Sequence, residues 1–398
     1  MSVRSSPIRF TDSWASVHFD LLRGIAALLV LVGHWRNLFF IDYPEIVHHR
    51  IWFAVPYTIA GVGHQSVILF FILSGYFISG SVFRSLERSQ WGWDSYLARR
   101  LIRLWVVLLP ALLLCLFWDR LGIHLGHAPA LYAGQVPNHM LLDVPTLLGP
   151  RIFFGNLFFL QSILTPVYGS DGALWSLANE FWYYILFPLG LIALWRSAPA
   201  KQRIVCILLF VAVASFVGIG MLSGFAIWLL GVALFKLRPP SFEPRTARNL
   251  RTAATVVYFT IFFALGRVRI SEIINDYFLA IVTLPYLWLL LSDTRRFDPR
   301  LRRVRGSREL ARFSYTLYTV HTPLLVFLVS LTLGERRWVP TPIHILEGLG
   351  VMLLALGYAY GVAFLFEFRT DGIRQFIERV LGIRDRPAAL PSNPMSTP

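Results

Sequence analysis

Long apolar runs separated by short, arginine-rich polar segments dominate this chain of 398 residues. Each run has about 17–26 residues, the length an α-helix needs to cross the hydrocarbon core of a bilayer. The pattern predicts an all-α, polytopic transmembrane helical bundle of about ten spans. The spans run roughly over residues 19–40, 62–83, 98–118, 173–195, 203–219, 221–237, 250–266, 273–292, 312–333 and 343–368, with the fifth and sixth joined by a turn at Gly218, Gly220 and Gly224.

Lysine and arginine placement predicts the orientation of these spans. With the N-terminus in the cytoplasm, 28 of the 37 Lys and Arg residues fall in cytoplasmic segments and only seven in outer ones, as the positive-inside rule requires. Both termini are then cytoplasmic. The expected organisation is a cytoplasmic N-terminal segment (1–18), an integral membrane domain (19–368) and a cytoplasmic, partly disordered tail (369–398).

The apolar segment 151–166 is the main competitor for an eleventh span. If it crossed the membrane, every later loop would change sides and the arginine-rich loop 295–312 would face outward. The charge rule rejects that arrangement. We therefore expect 151–166 to be a re-entrant or interfacial part of a long outer loop, 119–172.

Composition narrows the class of protein further. Hydrophobic residues make up 56% of the chain and charged residues 15%, against about 25% charged in a soluble domain. The net charge of +15 therefore reflects topology, and we expect no nucleic-acid partner.

The apolar runs hold Cys115 and Cys206, which are expected to be packing residues rather than a disulfide. The first run is expected to be a retained helix and not a cleaved signal peptide, because Arg23 and His34 interrupt it.

Arg23 and His34 are eleven residues apart in the first span. Eleven helical steps bring two side chains back to one face, roughly 16 Å apart along the axis. Such groups are costly in a bilayer and are by default a functional site. Arg23 is a candidate phosphate ligand, although a structural ion pair with Asp20 is the alternative. His34 is a candidate general base, although a buried structural histidine is the alternative.

Glu180, in ALWSLANEFWYY, lies about as deep in the fourth span as His34 lies in the first. A carboxylate in a membrane seeks a partner. We therefore predict a contact in which Glu180 orients or charges the imidazole of His34. Spacing gives depth and not direction around the helix, so the contact is a hypothesis.

Two other spans carry polar stripes. Tyr315, Tyr318 and His321 share one face of the ninth span, where they either bond neighbouring helices or line a substrate tunnel. Ser74, in FFILSGYFISG, either permits close helix packing or lines the same tunnel. At the cytoplasmic start of the third span, Arg100 and Arg103 share a face, and they either obey the positive-inside rule or bind a polyphosphate such as coenzyme A.

Metal chemistry is not expected. His124, His127 and His139 lie in the outer loop, but no carboxylate or cysteine set completes a coordination sphere there. We therefore predict no metal site.

Together these motifs resemble the membrane-bound acyltransferase-3 family, which includes O-antigen acetylases and other glycan O-acyltransferases. The resemblance covers roughly residues 16–368. It rests on FDLLRGIAALLVLVGHW, FFILSGYF, the RRLIR start of the third span, LWSLANEFWYY and FSYTLYTVHTPL, in this order.

The resemblance implies a multi-pass protein of the bacterial inner membrane. It implies an acyl-CoA co-substrate, acetyl-CoA in this prediction, with no permanently bound cofactor. The acceptor is then a carbohydrate hydroxyl of a surface or secreted glycan, and the other partner is membrane lipid. Of the candidate residues, Arg23 and His34 are the ones it implicates in activity.

Two positions depart from the family pattern. Val106 replaces a frequent proline after the RRLIR segment, and Phe181 replaces a second acidic residue after Glu180.

Two alternatives to an O-acetyltransferase remain. One is a transporter or exporter of a glycan or small solute, for which no inverted repeat or paired broken helices are found. The other is a non-catalytic partner of a glycan synthase, which leaves Arg23, His34 and Glu180 without a role.

Overall fold

Helices form almost all of the ordered structure. The computed structural model describes residues 10–136, 141–268 and 271–380. The helices are α1 (Trp14–Phe39), α2 (Ala54–Ala60), α3 (Gly63–Glu87), α4 (Trp93–Leu125), α5 (Pro129–Tyr132), α6 (Pro150–Leu157), α7 (Trp175–Leu194), α8 (Ala200–Lys236), α9 (Pro244–Leu265), α10 (Glu272–Leu290), α11 (Arg302–Arg312), α12 (Ser314–Thr332), α13 (Pro342–Leu365) and α14 (Thr370–Val380). Short 3₁₀ turns are found at Phe10–Asp12, Tyr43–Glu45, Arg50–Phe53, Val144–Leu147, Gly172–Leu174 and Glu367–Arg369.

The predicted all-α fold class is confirmed, since the described ranges contain isolated bridges but no strand. His139 and the tail after Arg386, predicted to be disordered, lie outside those ranges.

Within the described ranges, eight helical stretches are long and apolar enough to cross a membrane. One of them, α8, has 37 residues and would reach about 55 Å if continuous. It is divided at Gly218, whose φ of 77° and ψ of 172° are not helical, at the turn predicted between spans five and six. The 22 residues of α9 are also long enough to cross, but arginines in its first turns lower its hydropathy. The figure of ten crossings therefore stays a prediction.

The doubtful segment 151–166 does not form a membrane-length helix. Only Pro150–Leu157 is helical there, an element about 12 Å long. The chain then turns, and Phe159 and Ser162 adopt positive φ. This geometry agrees with the expected interfacial or re-entrant segment and gives no eleventh span.

The helix α12 lies at the centre of the bundle and is buried along nearly its whole length. It packs against α1, α4 and α13, while α3 packs against α1 and α8. Large apolar side chains on α8 and α13, such as Leu208 and Leu353, are exposed. Apolar side chains can stay exposed on the outer helices because lipid tails, rather than water, would surround them.

A glycine contact joins α3 to α8. A Cβ built on Gly75 would lie 2.1 Å from the carbonyl oxygen of Trp228, and one built on Gly231 would lie 2.0 Å from that of Ile72. The two backbones can approach so closely because Gly75 and Gly231 have no side chain at the points of contact. The contact fixes the position of α3, which carries Ser74 into the site described below.

The start of α1 is tied to the loop that follows α10. The backbone N–H of Trp14 donates to the carbonyl of Arg295 at 3.0 Å, and that of Ala15 donates to Asp293 at 3.1 Å. These bonds satisfy N–H groups that have no partner within the helix. They also place the basic loop and α11 at the end of the bundle where the chain enters, as the predicted orientation requires.

Candidate active site

A cavity of about 390 Å³ lies between α1, α3, α4, α7 and α12. Its wall is basic at one end and apolar farther in. The polar lining residues are Arg23, Ser74, Ser81, Arg100, Arg103, Ser176, Glu180, Tyr184, Ser314, Tyr315 and Tyr318. Arg103 is exposed to solvent, so the basic end of the cavity reaches the surface of the protein.

Three guanidinium groups line this cavity, those of Arg23, Arg100 and Arg103, which the sequence analysis named as candidate phosphate ligands. Arg23 donates to the carbonyl oxygen of Ala311 at 3.3 Å and lies 3.7 Å from a carboxylate oxygen of Asp20. Arg100 donates to the Ser81 hydroxyl at 2.8 Å. Glu180 is the only carboxylate among the described residues that line the cavity, and Asp20, which is not part of that lining, lies beside Arg23 alone of the three arginines. The excess of positive charge favours a ligand with several negative charges.

Glu180 points into this cavity and not toward His34. One of its carboxylate oxygens accepts a hydrogen bond from Ser74 at 2.9 Å and a second, short one from Tyr184. The predicted contact between His34 and Glu180 is therefore wrong. The helices that carry the two residues present them to different neighbours.

His34 bonds instead to His321. Nδ1 of His34 lies 2.8 Å from Nε2 of His321 and 3.2 Å from the hydroxyl of Thr322. The two rings are stacked, with centroids 5.0 Å apart. His321 is fully buried, while His34 is half-buried. The polar face predicted on the ninth span therefore meets the face of the first span that carries His34, and the two faces are joined by this pair of imidazoles.

The carbonyl oxygen of Leu317 determines the tautomers of this pair. It lies 2.7 Å from Nδ1 of His321, and a carbonyl only accepts, so this Nδ1 carries the hydrogen. In the neutral pair Nε2 of His321 is then an acceptor and takes the hydrogen that Nδ1 of His34 donates. Nε2 of His34 is left with a free lone pair. The arrangement suits a general base, because the second ring nitrogen is fixed by a partner.

Tyr318 separates the cavity from the imidazole pair. Its hydroxyl is 2.7 Å from that of Ser176, and both residues line the cavity. His321 follows Tyr318 by one turn on the same face of α12, while neither His34 nor His321 is among the described residues that line the cavity. Tyr315 lines the cavity and donates to the carbonyl of Leu104 at 3.2 Å. Of the predicted tunnel residues, Ser74 and Tyr315 therefore line the cavity and His321 does not.

Tyr184 and Ser176 were not predicted as site residues. Both lie four residues from Glu180, on the same face of α7, so the spacing in WSLANEFWYY contained the signal. The departure at Phe181 lies on another face, where its ring stacks on Phe159 with centroids 4.3 Å apart. The position at which the family often has a second acidic residue, Phe181 in this chain, is therefore not part of the described lining of the cavity.

The two cysteines are buried and unpaired, as expected of packing residues.

Comparison with known proteins identifies the chain. A family model described as an acyltransferase domain matches residues 17–367, nearly the whole membrane region. No curated protein and no solved structure matches the chain significantly. The chain therefore belongs to the membrane-bound acyltransferase-3 family and is a multi-pass membrane acyltransferase.

Proposed function

We propose that this acyltransferase moves an acetyl group from acetyl-CoA, bound from the cytoplasm of a bacterial cell, to a hydroxyl of a surface or secreted glycan. The cavity that holds three arginines beside one glutamate, one turn from an imidazole pair, carries the proposal. Family membership supplies acyl transfer in general. The arginines of the site support a coenzyme A donor, whereas the acetyl group, the glycan acceptor and the bacterial inner membrane are what the resemblance to the family implies.

Coenzyme A has a polyphosphate end and a thioester end, and the cavity offers a counterpart for each. Guanidinium groups bind phosphate through paired, charge-assisted hydrogen bonds, so Arg23, Arg100 and Arg103 would hold the phosphates. The apolar wall farther in, with Phe70, Leu73 and Leu177, would receive the thioester end. We expect the ring of Tyr318 to move aside when the thioester reaches His34.

The chemistry at His34 is then a direct transfer. Nε2 of His34 removes the proton of the acceptor hydroxyl as its oxygen attacks the carbonyl carbon of the thioester. A carbon–oxygen bond forms, the carbon–sulfur bond breaks, and the coenzyme A thiolate takes up the proton that His34 accepted. A base positioned in this way typically contributes 10²- to 10⁴-fold to the rate.

Purified protein in lipid nanodiscs tests this function directly. We expect thiol release from acetyl-CoA that depends on an added glycan acceptor, together with an acetyl mass increase on that acceptor. Vesicles containing the protein provide the second measurement. Movement of a glycan or solute across the membrane without thiol release would contradict the enzyme and favour a transporter.

His321 is expected to act as a positioning residue for His34. His321→Leu removes the acceptor for Nδ1 of His34, and we expect kcat to fall by roughly 10- to 100-fold, as for other residues that orient a functional histidine. KM for acetyl-CoA should not change, because His321 does not line the donor cavity. Kinetic analysis in nanodiscs measures both constants.

The matched variant His321→Gln keeps an acceptor oxygen near the same place and should recover part of kcat. If both variants lose activity equally, or if both raise KM for acetyl-CoA, His321 does not act by orienting His34.

A further inference from the structure

A second cavity, of about 340 Å³, lies between α1, α9 and α10 and shares no residue with the first. It is lined by His18, Leu21, Leu22, Ile25, Arg248, Arg251, Thr252, Thr255, Phe259, Tyr286, Leu290, Asp293 and Arg295. The acyl-transfer chemistry proposed above uses none of these residues. Its charged end lies beside the start of α1, on the side that the arginine pattern assigns to the cytoplasm.

Asp293 organises the cations of this cavity. Its side chain is 2% exposed and accepts two hydrogen bonds from Arg295, at 2.7 and 2.8 Å. His18 and Arg251 each approach a carboxylate oxygen to 3.5 Å. Burial opposes ionisation of Asp293, but the hydrogen bonds from Arg295 and His18 and the charge of Arg251 outweigh it and hold its pKa below the usual range. The carboxylate is therefore ionised and fixes the cations around it.

One carboxylate does not neutralise the cavity. Three arginines line it, and Asp293 is the single acidic residue in the described lining. Arg248 is exposed, and none of the described side chains bonds to its guanidinium. Two positive charges are thus left over at the cytoplasmic end. Such a basic pocket between transmembrane helices attracts an anionic group at the membrane surface.

Apart from Thr252, Thr255 and Tyr286, the rest of the cavity wall is apolar. On α1, residues 18, 21, 22 and 25 share one face, which begins with His18 and continues through leucine and isoleucine. Phe259 and Leu290 complete the wall from α9 and α10. Leu21 is 38% exposed. A ligand that fits both ends has an anionic head and a hydrocarbon chain.

We propose that this cavity binds the phosphate headgroup of an anionic phospholipid. Arg248, Arg251 and Arg295 contact the phosphodiester, and the upper part of one acyl chain lies against Leu21, Ile25 and Phe259. The lipid then bridges α1 to α9 and α10. The proposal is independent of the acyl-transfer function.

Native mass spectrometry of the detergent-purified chain, titrated with phosphatidylglycerol or with phosphatidylcholine of the same acyl chains, tests this site. We expect tighter binding of phosphatidylglycerol. Arg248→Gln removes one cation near the membrane surface, which is worth about 1 kcal/mol, so its affinity should fall about 5-fold. Thr252→Glu places a negative charge in the same exposed wall and should weaken binding at least as much. Arg245→Gln, at an arginine one turn away that does not line the cavity, is the matched control.

Arg248→Gln and Thr252→Glu change exposed positions, so we expect neither to lower the unfolding temperature. An unchanged unfolding temperature shows that a loss of lipid binding is not caused by misfolding. Unchanged affinity for phosphatidylglycerol in both variants, or equal binding of phosphatidylcholine, would overturn the proposal. A third arm adds inorganic phosphate during the titration. Displacement of the lipid at equal concentrations would show a phosphate site and would overturn the assignment to a lipid, whereas lipid that stays bound supports it.

Discussion

Replacing His34 by alanine is expected to lower acyl transfer by about 10²- to 10⁴-fold, the usual contribution of a general base. Nδ1 of His34 is bound to His321, so Nε2 is the ring nitrogen that would accept the proton of the acceptor hydroxyl, and the side chain is only half-buried. The rate of acceptor acetylation in nanodiscs measures the effect. Near-wild-type acetylation in His34→Ala would remove His34 from the mechanism.

The matched control for His34 is His64→Gln. His64 is also an intramembrane, partly buried histidine, and its Nε2 lies 2.9 and 3.0 Å from the two carboxylate oxygens of Asp276. It does not line the donor cavity. Activity of His64→Gln should stay near wild type. Membrane insertion and unfolding temperature of both variants show whether the loss in His34→Ala is chemical.

Arg100→Gln is expected to raise KM for acetyl-CoA by about 10- to 150-fold, because a hydrogen bond to a charged group contributes about 1.5–3 kcal/mol. Arg100 lines the cavity and is anchored by Ser81. The loss should disappear when acetyl-pantetheine, which lacks the nucleotide phosphates, replaces acetyl-CoA. Steady-state kinetics with both donors provide the comparison.

Arg99→Gln is the matched control for Arg100. Arg99 adjoins Arg100 in sequence but donates to Ser95 and lies outside the described lining of the cavity. It should leave KM for both donors almost unchanged. An equal loss of activity with acetyl-pantetheine in Arg100→Gln would mean that Arg100 does not bind phosphate.

Spacing along a predicted span gives the depth of a residue but not the direction in which its side chain points. Arg23, Arg100 and Arg103 were each named as candidate phosphate ligands, and the structure brings them together in the lining of one cavity. His34 and Glu180 were predicted to touch because their depths agree. Depth follows from the fixed rise of a helix, whereas direction around the helix depends on which neighbours it packs against. The face of α7 that carries Glu180 turns toward α3, and His34 faces α12.

The partner of His34 was nevertheless present among the candidates. The sequence left His321 either bonding a neighbouring helix or lining a substrate tunnel, and its bond to His34 is the first of these alternatives. Two polar stripes in different spans meet only when tertiary packing joins them, and a single sequence does not reveal that pairing. Phe181 is a second example of a side chain whose direction the sequence does not reveal. Its stacking on Phe159 shows that it points away from the cavity.

Under the proposed function, the glycine contact between α3 and α8 limits how a change of acyl donor could be accommodated. The backbones of α3 and α8 are already in contact at Gly75 and Trp228. The part of α3 that carries Ser74 therefore has no room to move toward α8. Space for a longer acyl group must then come from smaller residues on the cavity wall, such as at Phe70 or Leu177. Chain-length preference is thus open to redesign at single side chains, while the spacing of these two helices is not.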